Sequence, residues 1–476
     1  MVLDNAVNIA FAGVVSGYTN LMPLNDEMKF TNGVTIYSNS IGANPEYISY
    51  KQDGKEILRL DGGTWSIKDS EAGAVRSTVF VDGTMGVDSN AGTSRAPVDN
   101  LANAYRKAAE IYNSMKNMTK EVLAGLSADE KTLRLKVLAE GMEIVILDNI
   151  VLGDIGNLSL ETQMPKVTVR AVGGDKAILF SDDSYVYTIP VYTVIENTVM
   201  ESTCSINDPV IYANGKKLEI AQGVVTRYII GKPFSVFGGG EQDITVEGND
   251  LATDLTVMSG EWDAIYGGSP SNKINGSVNL TVGGSTEANY VFGGGQYPGS
   301  DVNGDVTLTI IGGSYQDVYG SGESASVTGR ATTVFQYGSI ANLYGGGYEK
   351  TSVTGNTVVI IGEEAGSGNQ AVITGKFRGS GQRGEMKAGG LVQVTVNNSA
   401  HIMEGVEFCA GGYSGTVPKA VLYIKGGQFE TNIFAGGWGE GSGEQYGNST
   451  ETTLEVSGGS FKGNIYGGGN VNGNSI

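Results

Sequence analysis

The sequence predicts an all-β chain built around a parallel β-helix, a solenoid of stacked coils, with an N-terminal helical cap and a small N-terminal β-rich unit. Glycine supplies 73 of 476 residues, about twice its ordinary use, whereas proline supplies only 10. Because glycine is poor in helix and strand interiors, this excess indicates many tight turns. A phrase of one aliphatic residue, one aromatic residue and glycines also recurs at gaps of 25 to 33 residues, which is typical of a repeat architecture.

The aromatic residue of this phrase marks nine predicted coils. Coils of a parallel solenoid lie about 4.8 Å apart, so nine of them predict a rod of roughly 40 Å. Since the aromatic residues are in phase, we expect their rings to stack on one another inside the rod. They stand at Phe237, Tyr266, Phe292, Tyr319, Tyr344, Phe377, Phe408, Phe434 and Tyr466.

Each coil also contains an alternating strand and a glycine turn. Residues 278–282 and 306–310 alternate apolar and polar side chains, the signature of a half-buried strand. Such a unit cannot bury its apolar face alone, and stacking provides a continuous core. We expect the corner glycines to supply positive φ angles. A β-propeller has comparable spacing, but its blades need four strands and these periods hold two or three.

Ahead of the regular coils, the pattern changes several times. An Asn-Gly pair at Asn214–Gly215 predicts a hairpin that projects from the rod. We interpret residues 1–75 as an attachment or docking module. The predicted organisation has four parts: a small β-rich unit at 1–75, the solenoid entry with capping helices at 76–142, irregular first coils with the hairpin at 143–235, and regular glycine-rich coils at 236–476.

Two helices are expected at the entry to the solenoid. The first begins near residue 100 and carries one apolar face that could close the end of the rod. A second helix should begin at Ser127, because Ser127 and Glu130 have capping-box spacing. The apolar face of the first helix comprises Leu101, Ala104, Tyr105 and Ala108.

Residues 79–97 read VFVDGTMGVDSNAGTSRAP and precede the first predicted helix. This segment resembles the entry of pectin-lyase-like β-helix proteins, and the glycine-rich coils resemble repeat surface proteins of bacteria. The resemblance implies a right-handed helix. It implies no particular activity, because that superfamily includes lyases, hydrolases, adhesins and phage tailspikes.

Charge excludes two classes of partner. The formal net charge is −20, from 51 acidic and 31 basic residues, so the surface should repel nucleic acid and anionic membranes. No stretch approaches the roughly 18 apolar residues of a membrane span. The first residues carry an acid and no Lys or Arg before an apolar run, unlike a signal peptide. Either a leader has been removed or the route is different, and an extracellular, cell-surface or virion location remains open.

Catalytic and metal-binding patterns are sparse. His401 is the only histidine, so a zinc site with several His ligands is excluded, and we interpret His401 as a solvated turn residue. No cofactor is expected; the calcium-binding GGxGxD repeat is missing, so calcium stays open but without support from the sequence. The acids expected on successive coils are too dispersed to favour catalysis; they are Asp243, Asp254, Asp263, Asp305 and Asp317. Cys204 and Cys409 are interpreted as buried free thiols, with a disulfide as the alternative.

The candidate binding residues are aromatic and basic. Aromatic side chains that follow the glycine turns could form one edge that stacks on sugar rings, or could fold back over the corners. These are Tyr297, Tyr348, Tyr413 and Trp438. A basic patch in a lengthened repeat could contact an anionic glycan, or could be solvated loop charge. It comprises Lys376, Arg378, Arg383 and Lys387.

These observations favour a non-enzymatic, adhesin-like surface stalk that binds carbohydrate or another cell-surface ligand. The first alternative is a phage tailspike or receptor-binding protein, which would form a trimer. The second alternative is a polysaccharide lyase or hydrolase. The sequence leaves the ligand and the oligomeric state open.

Overall fold

A computed structural model gives the fold. It describes residues 49–52, 55–61 and 64–67, and the chain from 75 to 472 except for 157, 159, 161–163, 229–231, 248–250, 350, 366–367, 383–384, 387–389, 414–416 and 441–448. The chain divides into two compact units, Met1–Arg76 and Ser77–Ile476.

The described part of the first unit is a small antiparallel sheet. Its three strands are Ser49–Gln52, Lys55–Asp61 and Thr64–Ile67, paired in chain order. Residues 57–60, an apolar-rich segment whose pattern favours a strand, lie within the middle strand. The sequence pattern also favours a strand at residues 34–37, which lie outside the described residues.

Three helices precede most of the coils: α1 (Leu101–Lys116), α2 (Lys120–Gly125) and α3 (Ala128–Glu140). The predicted apolar face of α1 is fully buried. Its Tyr105 hydroxyl lies 2.8 Å from the hydroxyl of Tyr187 and 2.9 Å from Thr193 Oγ1, so the one polar group on this face is hydrogen-bonded. The predicted capping box at the start of α3 is present, with both Ser127 and Glu130 bonds formed.

The second unit is a parallel β-helix, as predicted. Its longest sheet, face A, receives one strand from every coil, and all its pairings are parallel. The strands of face A are Thr78–Asp82, Met142–Asp148, Val167–Ala171, Thr193–Glu196, Lys217–Ile220, Leu251–Val257, the first parts of Ser277–Phe292, Val306–Tyr319 and Ala331–Tyr344, and then Thr357–Ile361, Leu391–Val396, Val417–Ile424 and Ser449–Val456.

Faces B and C complete each coil. Face B begins as a separate parallel sheet of Ile150–Val151, Ala177–Phe180, Val199–Ser202 and Val225–Tyr228. Face C begins with Val186–Thr188, Val210–Tyr212 and Phe234–Phe237. In each of the next coils a single strand forms both face B and face C. These strands are Glu261–Tyr266, the later parts of Ser277–Phe292, Val306–Tyr319 and Ala331–Tyr344, and Ala371–Arg378. The two faces separate again into Ala400–Ile402, Gln428–Phe429 and Ser460–Phe461 on B and Glu407–Cys409, Ile433–Phe434 and Ile465–Tyr466 on C.

Short elements occupy the corners. Val172–Gly174 is a single 3-10 turn. Two-stranded parallel pairs join Ile244–Thr245 to Ile274–Asn275, Ser352–Val353 to Glu385–Met386, and Trp438–Glu440 to Asn470–Asn472. Among the described residues, no helix is long and apolar enough to cross a membrane.

One column of inward side chains shows how strictly the coils are aligned. Parallel pairing connects Val79 to Val456 through one residue of each face A strand. Every member except the last is fully buried, while Val456 on the final described strand is 44% exposed. Burial of a coil therefore depends on having a neighbour on both sides, which is another coil or, for the first coil, the helix α1.

The corner glycines serve two different purposes, and only one was predicted. After the face A strands, glycines such as Gly312 and Gly338 do have positive φ angles, 115° and 120°. The glycine after each face C aromatic residue is required for space instead. A Cβ at Gly320 would lie 2.2 Å from the carbonyl oxygen of Gly345 in the next coil, and one at Gly345 would lie 2.1 Å from that of Gly379.

The predicted hairpin at Asn214–Gly215 is wrong. Both residues have positive φ angles, 50° and 73°, so the tight turn itself forms. The strands on either side, Val210–Tyr212 and Lys217–Ile220, do not pair with each other; each pairs in parallel with neighbouring coils. The turn is a corner of the solenoid, because the backbone donors and acceptors on both sides are already used between coils.

We expect Gly320→Ala to destabilise the protein by about 1–3 kcal/mol, since the methyl group overlaps a backbone oxygen that cannot move without separating two coils. Gly467 occupies the equivalent position in the last coil, where a Cβ would meet nothing within 4 Å. Gly467→Ala should therefore change stability by less than about 0.5 kcal/mol. Thermal unfolding followed by circular dichroism measures both, and equal effects would contradict this role of glycine.

Cys204 and Cys409 are free and fully buried, which confirms their interpretation as unpaired thiols. Burial raises the pKa of the Cys409 thiol to about 12, and it also raises the pKa of Cys204. A thiol reagent should therefore label neither cysteine in the native protein and both in denaturant. No labelling after unfolding would instead reveal a disulfide.

Candidate functional site

The aromatic ladder forms, but on the outer surface of face C rather than inside the rod. In each coil the residue before the ring, such as Val236 or Ile265, is fully buried in the interior. Successive side chains of a strand point to opposite sides, so the rings of Phe237 and Tyr266 must point outward. The sequence contained this signal, because an aliphatic residue precedes the aromatic residue in seven of the nine phrases; the two exceptions are Phe377, after Lys376, and Phe408, after Glu407.

The outward rings nevertheless cover one another. Centroids of consecutive rings lie 4.5 to 5.0 Å apart with interplanar angles of 2° to 8° from Phe237 to Tyr344, while Tyr212 tilts against Phe237 at 5.5 Å. All five rings from Phe237 to Tyr344 are at most 4% exposed. Burial raises the pKa of Tyr344 to about 12, so its phenol stays neutral at physiological pH. The stacked members are Phe237, Tyr266, Phe292, Tyr319 and Tyr344.

The ladder is interrupted after Tyr344. Strand register places Arg378 and Cys409 in the ladder positions of the next two coils, before Phe434 and Tyr466 resume it. Phe377 and Phe408 are therefore one position out of phase with the predicted ladder. Both are fully buried and point inward.

A groove of about 1330 Å³ runs along the ladder. Its floor contains the edges of the ladder rings. It also contains the residue two positions before each ring, because side chains two positions apart in a strand point to the same side. We call this space the ladder groove. The second row of its floor crosses six consecutive coils and consists of Ser235, Ala264, Tyr290, Asp317, Asn342 and Lys376.

One wall of the ladder groove is built by the loops that follow the face C glycines. Two ladder hydroxyls hold these loops: Tyr266 Oη donates to Glu323 Oε2 at 2.7 Å, and Tyr319 Oη donates to Gln382 Oε1 at 2.9 Å. Tyr348 packs edge-on against Tyr319, with 5.5 Å between centroids. The rings of the floor therefore position the wall.

One end of the groove is formed by a rigid loop. The carboxylate of Asp182 accepts hydrogen bonds from the backbone N–H groups of Ser205, Ile206 and Asn207, at 2.9 to 3.1 Å, and from the Ser205 hydroxyl at 2.8 Å. These bonds hold the pKa of Asp182 well below its usual range. The loop presents Ile206, 74% exposed, at the groove's edge.

The four candidate aromatic residues fall into two groups rather than one edge. Tyr297, 54% exposed, and Tyr348 line the ladder groove. Tyr413 and Trp438 lie instead against a buried cation, with the Arg378 guanidinium carbon 5.8 Å from the Tyr413 ring centroid and 4.8 Å from that of Trp438. Both rings therefore pack against Arg378, and neither lines the ladder groove.

The basic patch is not assembled as predicted. Arg378 is fully buried, because its guanidinium pairs with Glu407 at 2.7 Å and donates to the backbone oxygens of Phe377 and Glu407. It is consequently unable to act as a surface charge. Lys376 is exposed and lines the ladder groove. Arg383 and Lys387 lie outside the described residues.

The five aspartates mostly join one coil to the next. Asp243 and Asp305 accept backbone N–H bonds from Lys273 and Arg330, and Asp254 pairs with Lys217 at 3.0 Å and accepts from Asn279.

Asp263 and Asp317 accept bonds from the side-chain amides of Asn289 and Asn342, at 3.1 and 2.7 Å, and both also line the ladder groove. Burial raises the pKa of Asp317, and its effect exceeds the opposing influence of Asn342 and Lys376.

His401 belongs to a strand rather than a turn. It lies within Ala400–Ile402, partly buried, with Nε2 3.7 Å from Glu430 Oε1. Within the described residues, no group of three or more His, Cys, Asp or Glu side chains is arranged to hold a metal ion.

Sequence reasoning missed Tyr290, Glu241 and Glu323, which also line the groove. Tyr290 was detectable, since it lies two positions before Phe292 and must share its outward side. Glu323 was not, because a wall loop brings it to Tyr266 from 57 positions away in the chain. No protein-family model, curated protein or solved structure matches this chain.

We expect Phe292→Ala to destabilise the protein by about 3–4 kcal/mol, because the residue is buried and stacks on a ring on each side. Tyr297→Ala removes a similar ring that is half exposed, and should cost less than about 0.5 kcal/mol. Chemical denaturation, with hydrogen exchange to localise the effect to neighbouring coils, provides the measurement. A small effect of Phe292→Ala would show that the ladder contributes little to stability.

Proposed function

We propose that this protein is a non-enzymatic, carbohydrate-binding β-helix that holds a glycan chain in the ladder groove. The observation that carries the proposal is the groove itself: one elongated depression over six coils, combining aromatic rings with polar side chains. Six coils at about 4.8 Å span roughly 24 Å, a length suited to an extended oligomeric ligand.

The groove offers the two kinds of contact that a sugar ring needs. The exposed rings of Tyr290 and Tyr297 present apolar faces to its interior. Asn342, Gln296 and Gln382 supply amide groups that hydrogen-bond hydroxyls. Because the floor is part of the regular sheet, these groups are held on rigid elements and binding requires little ordering.

An adhesin-like position at a bacterial or extracellular surface is part of this proposal. It is supported by the regular solenoid and by the net charge of −20, which disfavours nucleic acid as the partner.

A second candidate function is hydrolysis of the bound polysaccharide. Asp263, Asp317 and Glu323 share the groove, and the raised pKa of Asp317 is the property that a general acid requires. Release of new reducing ends from a panel of polysaccharides, lost in Asp317→Asn, would support hydrolysis in place of simple binding.

The proposed function is tested by a glycan-array screen of the purified protein and two single variants. Tyr297→Ala should weaken binding about tenfold, because a lost stacking contact at a binding site costs on the order of 1–2 kcal/mol.

Tyr228→Ala is the matched control. Its ring is 46% exposed but lies outside the ladder groove, so binding should be unchanged. Absence of glycan binding, or an equal loss in both variants, would contradict a glycan site in this groove.

A further inference from the structure

The ladder groove carries an excess of negative charge. Asp208 and Lys232, at one end, pair with each other at 2.9 Å and cancel. Of the charged side chains that remain, four are acidic and one is basic, and none of the four acids forms an ion pair with any described residue. These are Glu241, Asp263, Asp317 and Glu323, against Lys376.

Three of these acids have neutral hydrogen-bond partners. Asp263 and Asp317 each accept one bond from an asparagine amide, and Glu323 accepts one from the Tyr266 hydroxyl. Each bond engages a single carboxylate oxygen. Such bonds fix the direction of a carboxylate without neutralising it, so the charge stays directed into the groove.

Three of the acids lie in the groove within electrostatic reach of one exposed ring. Tyr290 is 43% exposed, stacks beside Phe292 at 6.2 Å, and pairs in register with Asp317 in the next coil. Burial raises the pKa of the Tyr290 phenol, and the charges of Asp317, Asp263 and Glu323 raise it further. A cation on this ring would gain both the attraction of the aromatic face and that of the carboxylates.

We infer that the ladder groove selects a glycan with unsubstituted amino groups, whose ammonium group lies against Tyr290 among Asp263, Asp317 and Glu323. The inference rests on the proposed function and names its ligand class. A polymer of uronic acids would be repelled by the same carboxylates. A neutral chain would cover the carboxylates and remove their water without providing a charged partner. An anionic glycan, which the sequence left open as a partner of the basic patch, is therefore the disfavoured class. Arg378 is buried, and among the described residues only Lys376 and the Asp208-paired Lys232 bring basic charge to the groove.

The test uses three soluble oligosaccharides of equal length: a glucosamine oligomer, its fully N-acetylated counterpart, and an oligomer of a uronic acid. The first two differ only in the amino group. Titration calorimetry in buffer where the amines are protonated should show the glucosamine oligomer binding at least about tenfold more tightly than the acetylated one, since a charge-assisted hydrogen bond contributes about 1.5–3 kcal/mol. The preference should shrink as salt is added.

Two isosteric variants locate the preference. Asp317→Asn and Glu323→Gln keep an oxygen that accepts the existing hydrogen bond, so folding should be preserved, and each should reduce the amine preference. Glu287→Gln is the control, because Glu287 is an exposed acid outside the ladder groove. It should leave the preference unchanged.

The outcomes separate the two proposals. Equal or tighter binding of the acetylated or uronic oligomer, still weakened by Tyr297→Ala, would overturn amine selectivity and leave a glycan site in the groove. No binding of any oligomer would overturn both. A lysine-rich peptide that displaces the glucosamine oligomer and itself binds more tightly would assign the groove to cationic protein segments and overturn the glycan class.

Discussion

Parallel backbone pairing between successive coils is the constraint on which the rest of this structure depends. The pairing fixes a spacing of about 4.8 Å and brings each residue directly over its counterpart in the next coil. Each side chain therefore contacts the residue at the same position of the next coil. The aliphatic side chains of the face A column and the rings of the ladder contact one another in this way, and so do the Asp and Asn side chains that join two coils. A spacing that suits stacked aromatic rings thus produces the ladder wherever the sequence supplies a ring.

The same spacing explains the glycines. Where the chain turns after a ladder residue, the backbone of one coil lies against the carbonyl of the next, and a Cβ would come within 2.0 to 2.5 Å of that oxygen in six successive coils. Glycine at this corner permits coils to approach, while glycine after face A permits a left-handed turn. The abundance of one residue type therefore reflects two separate needs.

Much of this architecture could be predicted from local pattern. The repeat gave the coils, alternation gave face A, and Ser127 with Glu130 gave the start of α3. The prediction that the ladder rings point into the rod was wrong, because the aliphatic residues just before them, such as Val236 and Ile265, already occupy the interior. The burial of Arg378 was not predictable, since its partners Glu407 and Trp438 come from two later coils. The placement of Glu323 in the groove was equally inaccessible, because a wall loop brings it there from 57 positions beyond Tyr266.

Arg378 also marks where the continuous stack of ladder rings ends. A ring at this position would have continued the stack from Tyr344 toward Phe434, but the guanidinium is held instead by Glu407 and Trp438. The ladder is thus a block of whole coils with a defined last member. Duplication or loss of one coil before Arg378 would change the length of the ladder by one coil without disturbing either end of the ladder. Variation in coil number could in this way lengthen or shorten the ladder groove in fixed steps, through recombination rather than point mutation.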